Sequence, residues 1–402
     1  MSAEHEVEVA IVGGGPAGAA LASRLAQAGH EVALFERLPR PRWRASGVYS
    51  SPLTRRRLRD LGLSPDVLSA LIRPIDAMVV ETADGTLRAR LDYAAPAQAC
   101  GIDRVRLEEV LLERARAAGA QVHEAATVRQ ARFGDRGGGL LVSTPHGPAW
   151  WRTRLVVGAD GPSSLVARSA GVVLATRQLR RAALTGHRRE PSTRADAAEA
   201  RMILGSGWYL GLAPVPAGRV NLGLVLGEGG LRAQLARGLT LDAIVDRALA
   251  QVHDAGNGLP SAEPTDEMQA HLPLAHRVSR AAGPGFVLVG DAAGFIDPLS
   301  GEGLHRALVS AELAERAIDR WSKGQQSALG DYDRRLRARF RSKDVVSWLL
   351  QLFLFHPALA RYALARLERR PLARRTLADG LADLVPASRL VDPRFHLRLL
   401  AP

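Results

Sequence analysis

The chain has little cysteine and no long apolar run. Cys100 is its single cysteine, so no disulfide can form within the chain, and a reducing compartment is expected. The segment from Met1 to Glu8 is acidic and leads directly into a strand pattern, unlike the basic and then apolar start of a secretion signal. No apolar stretch approaches the length that spans a bilayer. These absences predict a cytoplasmic protein.

Lysine is also scarce, and nearly all of the positive charge is arginine. Lys323 and Lys343 are the two lysines among 54 Lys and Arg residues, which with 41 Asp and Glu leave a formal net charge of +13. A GC-rich genome produces such a bias without a functional cause; attraction to an anionic partner is the alternative. No basic run is interleaved with aromatic residues that would stack on bases, so no nucleic-acid partner is expected.

Two common kinds of catalytic site are missing from the sequence pattern. No cluster of histidine, cysteine or carboxylate residues has the spacing of metal ligands, and no Gly-x-Ser-x-Gly elbow occurs, so no metal is predicted. The composition is that of a folded globular protein, with 47% hydrophobic and 24% charged residues. At 402 residues the chain is long for one hydrophobic core, which predicts two domains.

The N-terminal segment has the pattern of a strand–helix–strand unit. Val7–Val12 is apolar like a buried strand, small residues continue as a helix to Ala28, and Glu31–Phe35 forms a second apolar strand. Between the first strand and the helix lies Gly-x-Gly-x-x-Gly, formed by Gly13, Gly15 and Gly18 around Pro16 and Ala17. This order of elements predicts a parallel pair of strands with a glycine-rich turn between strand and helix.

That turn predicts a dinucleotide site. Gly13 permits the tight turn, Gly15 lets a pyrophosphate approach the backbone, and Gly18 allows the helix to pack closely on the strand. The phosphate then contacts free amides at the helix N-terminus. Glu36 ends the second strand about 20 residues after Gly13, where a carboxylate accepts hydrogen bonds from ribose hydroxyls, and Arg37 follows it. The motif alone does not distinguish NAD from FAD.

Further along the chain, the pattern of apolar residues predicts several more elements. We expect helices over Leu53–Leu61 and Arg104–Ala118, a β-hairpin over Ile75–Leu91, and mostly strands between positions 173 and 270. Phe286–Val289 is a further buried strand, Ser300–Arg320 is a helix, and the chain from Asp331 onward is helical and basic.

Two of these segments resemble known flavoprotein motifs. Gly158–Ser164 (GADGPSS), followed by Arg168, is similar to the second nucleotide-contacting motif of the glutathione-reductase-type flavoprotein monooxygenase superfamily. Val289–Pro298 (VGDAAGFIDP) resembles the third motif, whose aspartate binds the ribityl chain, and Arg104 matches the superfamily's flavin-contacting arginine. The resemblance covers positions 1–172 and 270–330, and it implies that the nucleotide is FAD.

The resemblance implies an α/β fold with a discontinuous Rossmann-like FAD-binding domain, an inserted antiparallel β-sheet substrate domain and a C-terminal helical region. The FAD-binding domain is expected over 1–74, 98–172 and 270–330, the substrate domain over 75–97 and 173–269, and the helical region over 331–402. The motifs and the resemblance together assign FAD contacts to Gly13, Gly15, Pro16, Ala17, Gly18, Glu36, Arg37, Arg44, Ser46, Gly47, Arg104, Asp160, Gly290, Asp291, Pro298, Gly301 and Gly303.

The segment Ser300-Gly301-Glu302-Gly303 opens a helix that is expected to face the flavin. Free amides and the positive dipole end at that helix start would stabilise the negative charge that a reduced flavin carries at its pyrimidine edge. Gly301 and Gly303 would allow the close approach. A simple helix-capping loop is the alternative interpretation.

The sequence identifies the cofactor more narrowly than it identifies the reaction. Gly-Glu-Gly at 301–303 and Gly207-Trp208-Tyr209 resemble the geranylgeranyl reductase-like branch of the superfamily, but Ser46-Gly47 stands where prenyl reductases commonly carry Cys-Gly. Flavin halogenases need a loop lysine and a Trp-x-Trp-x-Ile-Pro motif, and neither is present, so halogenation is disfavoured.

Three hypotheses follow. In the first, NAD(P)H transiently reduces the flavin and O₂ is used to hydroxylate a hydrophobic small molecule, as in natural-product pathways. In the second, the reduced flavin passes hydride to a C=C bond of a lipophilic substrate. The third is a non-redox flavin-dependent protein or cyclase. The missing Cys-Gly pair favours the first.

Several side chains are candidates for contact with the substrate or cofactor. Arg44 offers a fixed fork of donors for the cofactor, with a solvated arginine as the alternative. Trp208 and Tyr209 alternate faces of a strand, so only one of them faces the flavin. We expect Tyr209 to do so as a candidate catalytic residue, with a plain core role as the alternative. His305 lies one helical turn after the flavin-facing glycines and is a candidate proton donor, although a structural histidine is the alternative. His187 shows no supporting partner and receives no role.

One apolar stretch in the C-terminal region has two interpretations. Val345–Phe355 lies beside basic residues, which fits a substrate lid or a helix on an anionic lipid surface. A helix packed on the FAD-binding domain or across a dimer interface is favoured, since Gln351 interrupts the run. The oligomeric state stays open.

Overall fold

The computed structural model describes residues 4–93, 96–134, 137–175, 180–190, 198–253, 258–297 and 301–400. The strands in these ranges are β1 (Glu4–Val12), β2 (Val32–Phe35), β3 (Tyr49–Ser50), β4 (Ile72–Ile75), β5 (Ala77–Thr82), β6 (Arg88–Asp92), β7 (Ala99–Ile102), β8 (Gln121–His123), β9 (Thr127–Arg132), β10 (Gly138–Thr144), β11 (Gly147–Gly158), β12 (Val173–Leu174), β13 (Arg181–Arg189), β14 (Glu199–Leu204), β15 (Trp208–Val215), β16 (Arg219–Gly227), β17 (Gln269–His271), β18 (Arg277–Val278), β19 (Ala282–Gly283) and β20 (Phe286–Leu288).

The α-helices in the same ranges are α1 (Pro16–Gln27), α2 (Leu53–Asp60), α3 (Pro65–Leu71), α4 (Arg104–Ala117), α5 (Leu165–Ser169), α6 (Glu228–Ala236), α7 (Leu241–Leu249), α8 (Gly303–Ser322), α9 (Ala328–Phe355), α10 (Pro357–Arg369), α11 (Pro371–Leu381) and α12 (Pro393–Leu400). Four of these helices, α3, α4, α5 and α7, begin with a side-chain cap. Asp103, for example, accepts a hydrogen bond from the backbone N–H of Arg106 at 3.1 Å and caps α4.

The first sheet carries the nucleotide motif. Its strands follow the order β19-β20-β11-β1-β2-β8, and β1 runs parallel to both β2 and β11. Strand β10 pairs with β11 and β9 with β10 as an antiparallel extension. The middle of β1 is buried on both faces, as expected of a parallel strand covered by other layers. Helices α1, α4 and α8 pack in one hydrophobic core with this sheet. The predicted strand–helix–strand unit is confirmed.

The second sheet has the order β17-β13-β16-β15-β14-β5-β6 and is antiparallel except between β14 and β5. The predicted hairpin is thus part of the same sheet as the later strands. One face of this sheet packs on α6 and α7 through a cluster that includes Leu210, Leu222 and Val245. The opposite face lines the cavity described below. A short third sheet has the order β3-β7-β4; its strands β4 and β7 contact β15 of the second sheet, and β3 contacts α8.

The C-terminal helices pack against the outer end of the second sheet. Ala89 of β6 shares a hydrophobic cluster with Val346, Leu364 and Phe395, and α10 and α11 contact β6. The apolar stretch 345–355 is the last part of the long helix α9. No helix in the described residues is long and apolar enough to cross a membrane. The overall architecture agrees with the predicted α/β fold; the domain boundaries remain predictions.

Candidate FAD and substrate site

A cavity of about 1370 Å³ lies between the first and second sheets. Its first wall comes from the glycine turn after β1, the loop that precedes β3, the start of α4, the segment after β11 and the start of α8. Its second wall is the face of the second sheet that points away from α6 and α7. Most of the residues that the sequence assigns to FAD belong to the first wall.

The glycine turn brings the start of α1 to this cavity. Gly13 has a φ of +105°, and a Cβ atom there would lie 2.5 Å from the carbonyl oxygen of Ala159, so only glycine fits. Gly15 caps α1, and a Cβ on it would meet no atom within 4 Å. Gly18 does not line the cavity; it packs against the Gly13 carbonyl and Ala159. The turn therefore leaves open space in front of free amides, as a pyrophosphate requires.

Glu36 lies where a ribose is expected to bind. One of its carboxylate oxygens accepts the backbone N–H of Gly14 at 2.7 Å, and the other accepts that of Leu38 at 3.0 Å. Arg44 reaches across from its loop, with an Nη atom 3.9 Å from Glu36 and another 2.9 Å from Glu108. Arg44 lines the cavity and holds the carboxylate of Glu36 by its charge, so its predicted place at the cofactor fits the structure.

Two aspartates stand at strand ends on the first wall. Asp160 follows β11 and accepts the backbone N–H groups of Leu165 and Val166, at 2.6 Å and 3.3 Å, so it also holds the start of α5. Burial raises the pKa of Asp160 despite those hydrogen bonds. Asp291 follows β20, and burial raises its pKa to about 6, against the lowering effect of Arg104 and Arg306.

The raised pKa of Asp291 fits a buried carboxylate that a hydrogen-bond donor would stabilise. A buried carboxylate is stabilised by hydroxyl groups that donate hydrogen bonds to it, and a ribityl chain offers such donors. Arg104 also lines the cavity, and it donates to the carbonyl oxygen of Gly47 at 3.3 Å. Arg104 therefore ties α4 to the loop that contains Ser46 and Gly47.

Gly301 and Gly303 lie at the start of α8, beside Tyr49. Gly301 has a φ of +63°, and a side chain there would collide with the ring of Tyr49. The helix begins at Gly303 and is 20 residues long, so its N-terminal amides face the cavity as expected for the flavin's anionic edge. Tyr49 lines the cavity as well, and its hydroxyl is hydrogen-bonded to that of Tyr93.

The structure gathers nearly all of the predicted cofactor residues on one wall. Those that line the cavity are Gly13, Gly15, Pro16, Ala17, Glu36, Arg37, Arg44, Ser46, Gly47, Arg104, Asp160, Gly290, Asp291, Gly301 and Gly303. Gly18 serves packing instead, and Pro298 lies outside the described residues. The open helix start, the carboxylate of Glu36 and the carboxylate of Asp291 fit the phosphates, a ribose and the ribityl chain of FAD.

Tyr209 faces the cavity from the second sheet, and Trp208 packs on the opposite face, as strand alternation predicts. The hydroxyl of Tyr209 donates to Asp297, and Arg181 lies 3.4 Å from the same carboxylate. Burial, and then the charge of Asp297, raises the pKa of Tyr209 well above 10. The Tyr209 side chain is therefore a neutral, fixed part of the cavity wall. A catalytic role for Tyr209 stays a prediction.

The position of His305 favours the structural alternative over the proton-donor hypothesis. Its neighbours Leu304 and Ala307 line the cavity, but His305 lies on another face of α8, fully buried and 3.8 Å from Asp383. Burial lowers its pKa to about 4. The spacing from the glycines placed the residue on the correct helix, but the 100° rotation per residue turns its side chain toward the C-terminal helices.

His187, which received no role from the sequence pattern, has partners in the structure. Its Nδ1 lies 2.6 Å from Asp266, its Nε2 lies 3.4 Å from the amide of Asn221, and the ring of Trp43 packs edge-on against it at 4.2 Å. Asn221 and Trp43 line the cavity, whereas His187 lies behind them. Asp266 is far from His187 in sequence, so no local signal could have found this pair.

Among the described residues, no group of His, Cys, Asp or Glu is arranged to hold a metal ion.

Comparison with known proteins agrees with this geometry. A digeranylgeranylglycerophospholipid reductase of Methanopyrus kandleri is 28% identical over 327 residues, which are 78% of each chain. The flavin-dependent halogenase CmlS is 25% identical, with a TM-score of 0.75, and the match covers 84% of this chain and 63% of that one. The p-nitrophenol 4-monooxygenase PnpA of Pseudomonas putida is 19% identical, with a TM-score of 0.77 over 94% of this chain and 98% of that one, and shares the fold.

The family model described as FAD binding domain matches residues 6–342, which include every described residue that the sequence assigned to the cofactor. The predicted superfamily and the prediction of FAD as the cofactor are therefore confirmed. The chain belongs to the FAD-binding domain family and is an FAD-dependent oxidoreductase.

Proposed function

We propose that the chain is an NAD(P)H-dependent monooxygenase that uses O₂ to hydroxylate a hydrophobic small molecule, as in a natural-product pathway. The observation that carries this proposal lies in the loop beside the assigned FAD residues. Ser46 and Gly47 line the cavity at the place where prenyl reductases commonly carry Cys-Gly, so the thiol of that pair is missing from the cavity wall. The tyrosine and histidine side chains on the cavity wall add a second argument, because their pKa values disfavour proton donation near neutral pH.

The pKa shifts of these side chains have physical causes. Burial, and then Tyr93, raises the pKa of Tyr49 well above 10, and burial and Asp297 do the same to Tyr209. Burial lowers the pKa of His271, which is therefore neutral at pH 7. Reduction of a C=C bond needs a proton as well as a hydride, and an efficient general acid has a pKa near the working pH. These three side chains do not meet that condition.

The remaining walls suit a substrate that must be held away from water. Ala183, Met202 and Val225 are apolar and line the second wall, and Leu274 and Phe295 line the cavity within the same hydrophobic cluster. Bound FAD would supply the redox chemistry, while the protein supplies a dry, shaped space and orientation. The sequence has no second dinucleotide fingerprint, which supports a nicotinamide that binds transiently.

Reduction of a C=C bond in a lipophilic substrate is the second candidate. Its support is the printed activity of the Methanopyrus kandleri relative, a digeranylgeranylglycerophospholipid reductase. The same apolar wall would accept a prenyl chain. This alternative needs a proton source other than Tyr49, Tyr209 and His271.

Product mass separates the two candidates. The FAD-loaded protein is incubated with NADH or NADPH and a panel of lipophilic aromatic compounds and prenyl alkenes, once under ¹⁸O₂ and once without oxygen. A product that carries one ¹⁸O atom supports the monooxygenase proposal. A product that has gained two hydrogens in the oxygen-free reaction would overturn it in favour of the reductase. Loss of the visible absorbance of oxidised flavin after each nicotinamide shows which one is the reductant.

A further inference from the structure

The cavity face of the second sheet has a hollow at its centre. Gly211 of β15 and Gly223 of β16 are directly paired across the two strands. On the same face, Tyr209 pairs with Val225 on one side of them, and Ala213 pairs with Asn221 on the other. Thr185 is the neighbour of Gly223 on β13, and Met202 is the neighbour of Gly211 on β14. Two adjoining positions without side chains are thus surrounded by larger residues.

Neither glycine is required by the backbone. Neither has a positive φ, and glycine inside a strand ordinarily weakens it. A Cβ atom on Gly223 would meet nothing within 4 Å. On Gly211 the nearest atoms would be Met202 Cε at 3.8 Å and the Gly223 carbonyl oxygen at 3.9 Å, which is ordinary contact. The fold would therefore accept side chains at both positions, and those side chains would extend into the cavity.

The hollow belongs to the part of the cavity that the cofactor residues do not form. Every described residue assigned to FAD lies outside the second sheet, whereas Gly211 and Gly223 both line the cavity within it. We propose that these two glycines form the floor of the substrate site and admit a flat, ring-bearing lipophilic molecule rather than a linear chain. This proposal rests on the proposed function, and it names the substrate class.

The shape and chemistry of the walls support a flat ligand with a donor group. Without Cβ atoms, a ring can lie directly on the peptide planes of two neighbouring strands. Tyr209 and Val225, with Leu274 in the same cluster, form an apolar side. On the other side, the amide nitrogen of Asn221 donates to Thr185 Oγ1 at 3.1 Å and to the Gly186 carbonyl at 3.0 Å. The side-chain carbonyl oxygen of Asn221 is therefore the atom that would accept a hydrogen bond from a hydroxyl or amine of the ligand.

The proposed floor of the substrate site can be tested by measuring ligand binding, which requires no enzymatic turnover. The FAD-loaded protein is titrated with 1-naphthol, a flat ring with a hydroxyl, and with farnesol, a linear chain with a hydroxyl, and the perturbation of the flavin spectrum gives each dissociation constant. Three variants are compared: Gly223→Ala, Gly223→Val and Gly227→Ala. Gly227 ends the same strand, does not line the cavity and also has no atom within 4 Å of a Cβ position, so it is the matched control.

We expect the wild-type protein to bind 1-naphthol more tightly than farnesol. Gly223→Val should weaken 1-naphthol binding by at least about tenfold, because it fills the floor, with a smaller loss in Gly223→Ala and none in Gly227→Ala. FAD content and melting temperature should stay at wild-type values in all three. Wild-type preference for farnesol, binding of neither probe, or unchanged 1-naphthol affinity in Gly223→Val would overturn the proposal. The assay uses neither O₂ nor NAD(P)H, so a failure of hydroxylation would be seen separately.

Discussion

Lys343 links the C-terminal helices to the start of the flavin-facing helix. Its Nζ lies 3.2 Å from Asp383 and also contacts Glu302, the residue between Gly301 and Gly303. All three charged side chains are buried, and the Lys343 residue is 3% exposed. Burial raises the pKa of Glu302 despite the opposing charge of Lys343. This ion cluster places α9 and the turn after α11 directly behind the glycines at the cavity.

Removal of the Lys343 charge should destabilise the protein. Lys343→Met leaves Glu302 and Asp383 buried without their cation, a change that typically costs about 3–5 kcal/mol of unfolding free energy. Because Glu302 is the N-cap residue of α8, FAD affinity should fall as well. Denaturant unfolding and FAD titration measure the two effects. Lys323 is the matched control: its side chain is 72% exposed, and Lys323→Met should change stability by less than about 0.5 kcal/mol. Equal stability of the two variants would contradict the cluster's role.

FAD affinity should depend on the ionisation of Asp291. Hydroxyl donors favour the carboxylate form, so affinity should rise as the pH rises through about 6, the pKa of Asp291 in the FAD-free protein. Asp291→Ala should weaken FAD binding by about 10- to 100-fold, the cost of losing charge-assisted hydrogen bonds. Dissociation constants at about pH 5 and about pH 7.5 test this. Asp291→Asn should bind with less pH dependence. An Asp291→Ala variant whose FAD dissociation constant equals that of the wild-type protein would exclude the assigned contact.

The raised pKa of Asp291 should also make the stability of the FAD-free protein depend on pH. A carboxyl group whose folded pKa is raised holds its proton more tightly when folded than when unfolded. Its contribution to stability is therefore full below the ordinary value of 3.8 and is lost as the pH rises through about 6. The FAD-free protein should lose unfolding free energy over that window, and Asp291→Asn should lose less. Chemical unfolding at a series of pH values provides the comparison.

His305 should affect stability and leave turnover unchanged. Its pKa of about 4 lies below the ordinary 6.5, so the folded protein holds this proton more weakly than the unfolded chain does. The resulting stability is full above 6.5 and is lost as the pH falls toward 4. His305→Asn should flatten this acid side of the unfolding profile, with unchanged kcat per bound flavin, because the side chain does not reach the cavity. A large fall in kcat at normal FAD content would restore the proton-donor hypothesis.

Tyr209→Phe should distinguish a wall residue from an acid. The substitution removes the hydroxyl that donates to Asp297, and loss of a buried hydrogen bond to a charged group costs about 1.5–3 kcal/mol of stability. Because the pKa of Tyr209 lies well above 10, its hydroxyl is not a ready acid near neutral pH. The pH profile of kcat should therefore keep its shape. A profile that loses its alkaline limb in Tyr209→Phe would instead assign proton transfer to this residue.

The sequence by itself determined the nucleotide half of the protein. Gly13, Gly15, Gly18 and Glu36 act within one strand–helix–strand unit, where local spacing fixes geometry, because successive residues must pass through one tight turn. Asp291 and Arg104 were found through resemblance, since each follows or begins a regular element at a fixed place in the motif. Local rules also oriented Trp208 and Tyr209 correctly, because a strand has a period of two.

The tertiary structure alone decided what surrounds the substrate. His187 with Asp266, Tyr209 with Asp297 and Lys343 with Glu302 are pairs whose members lie on different elements far apart in the chain. No periodicity relates such residues, because their proximity depends on how sheets and helices pack. The same holds for His305, whose helix was predicted but whose direction was not, and for Gly211 and Gly223, which become a floor only when the register of β15 and β16 places them opposite each other.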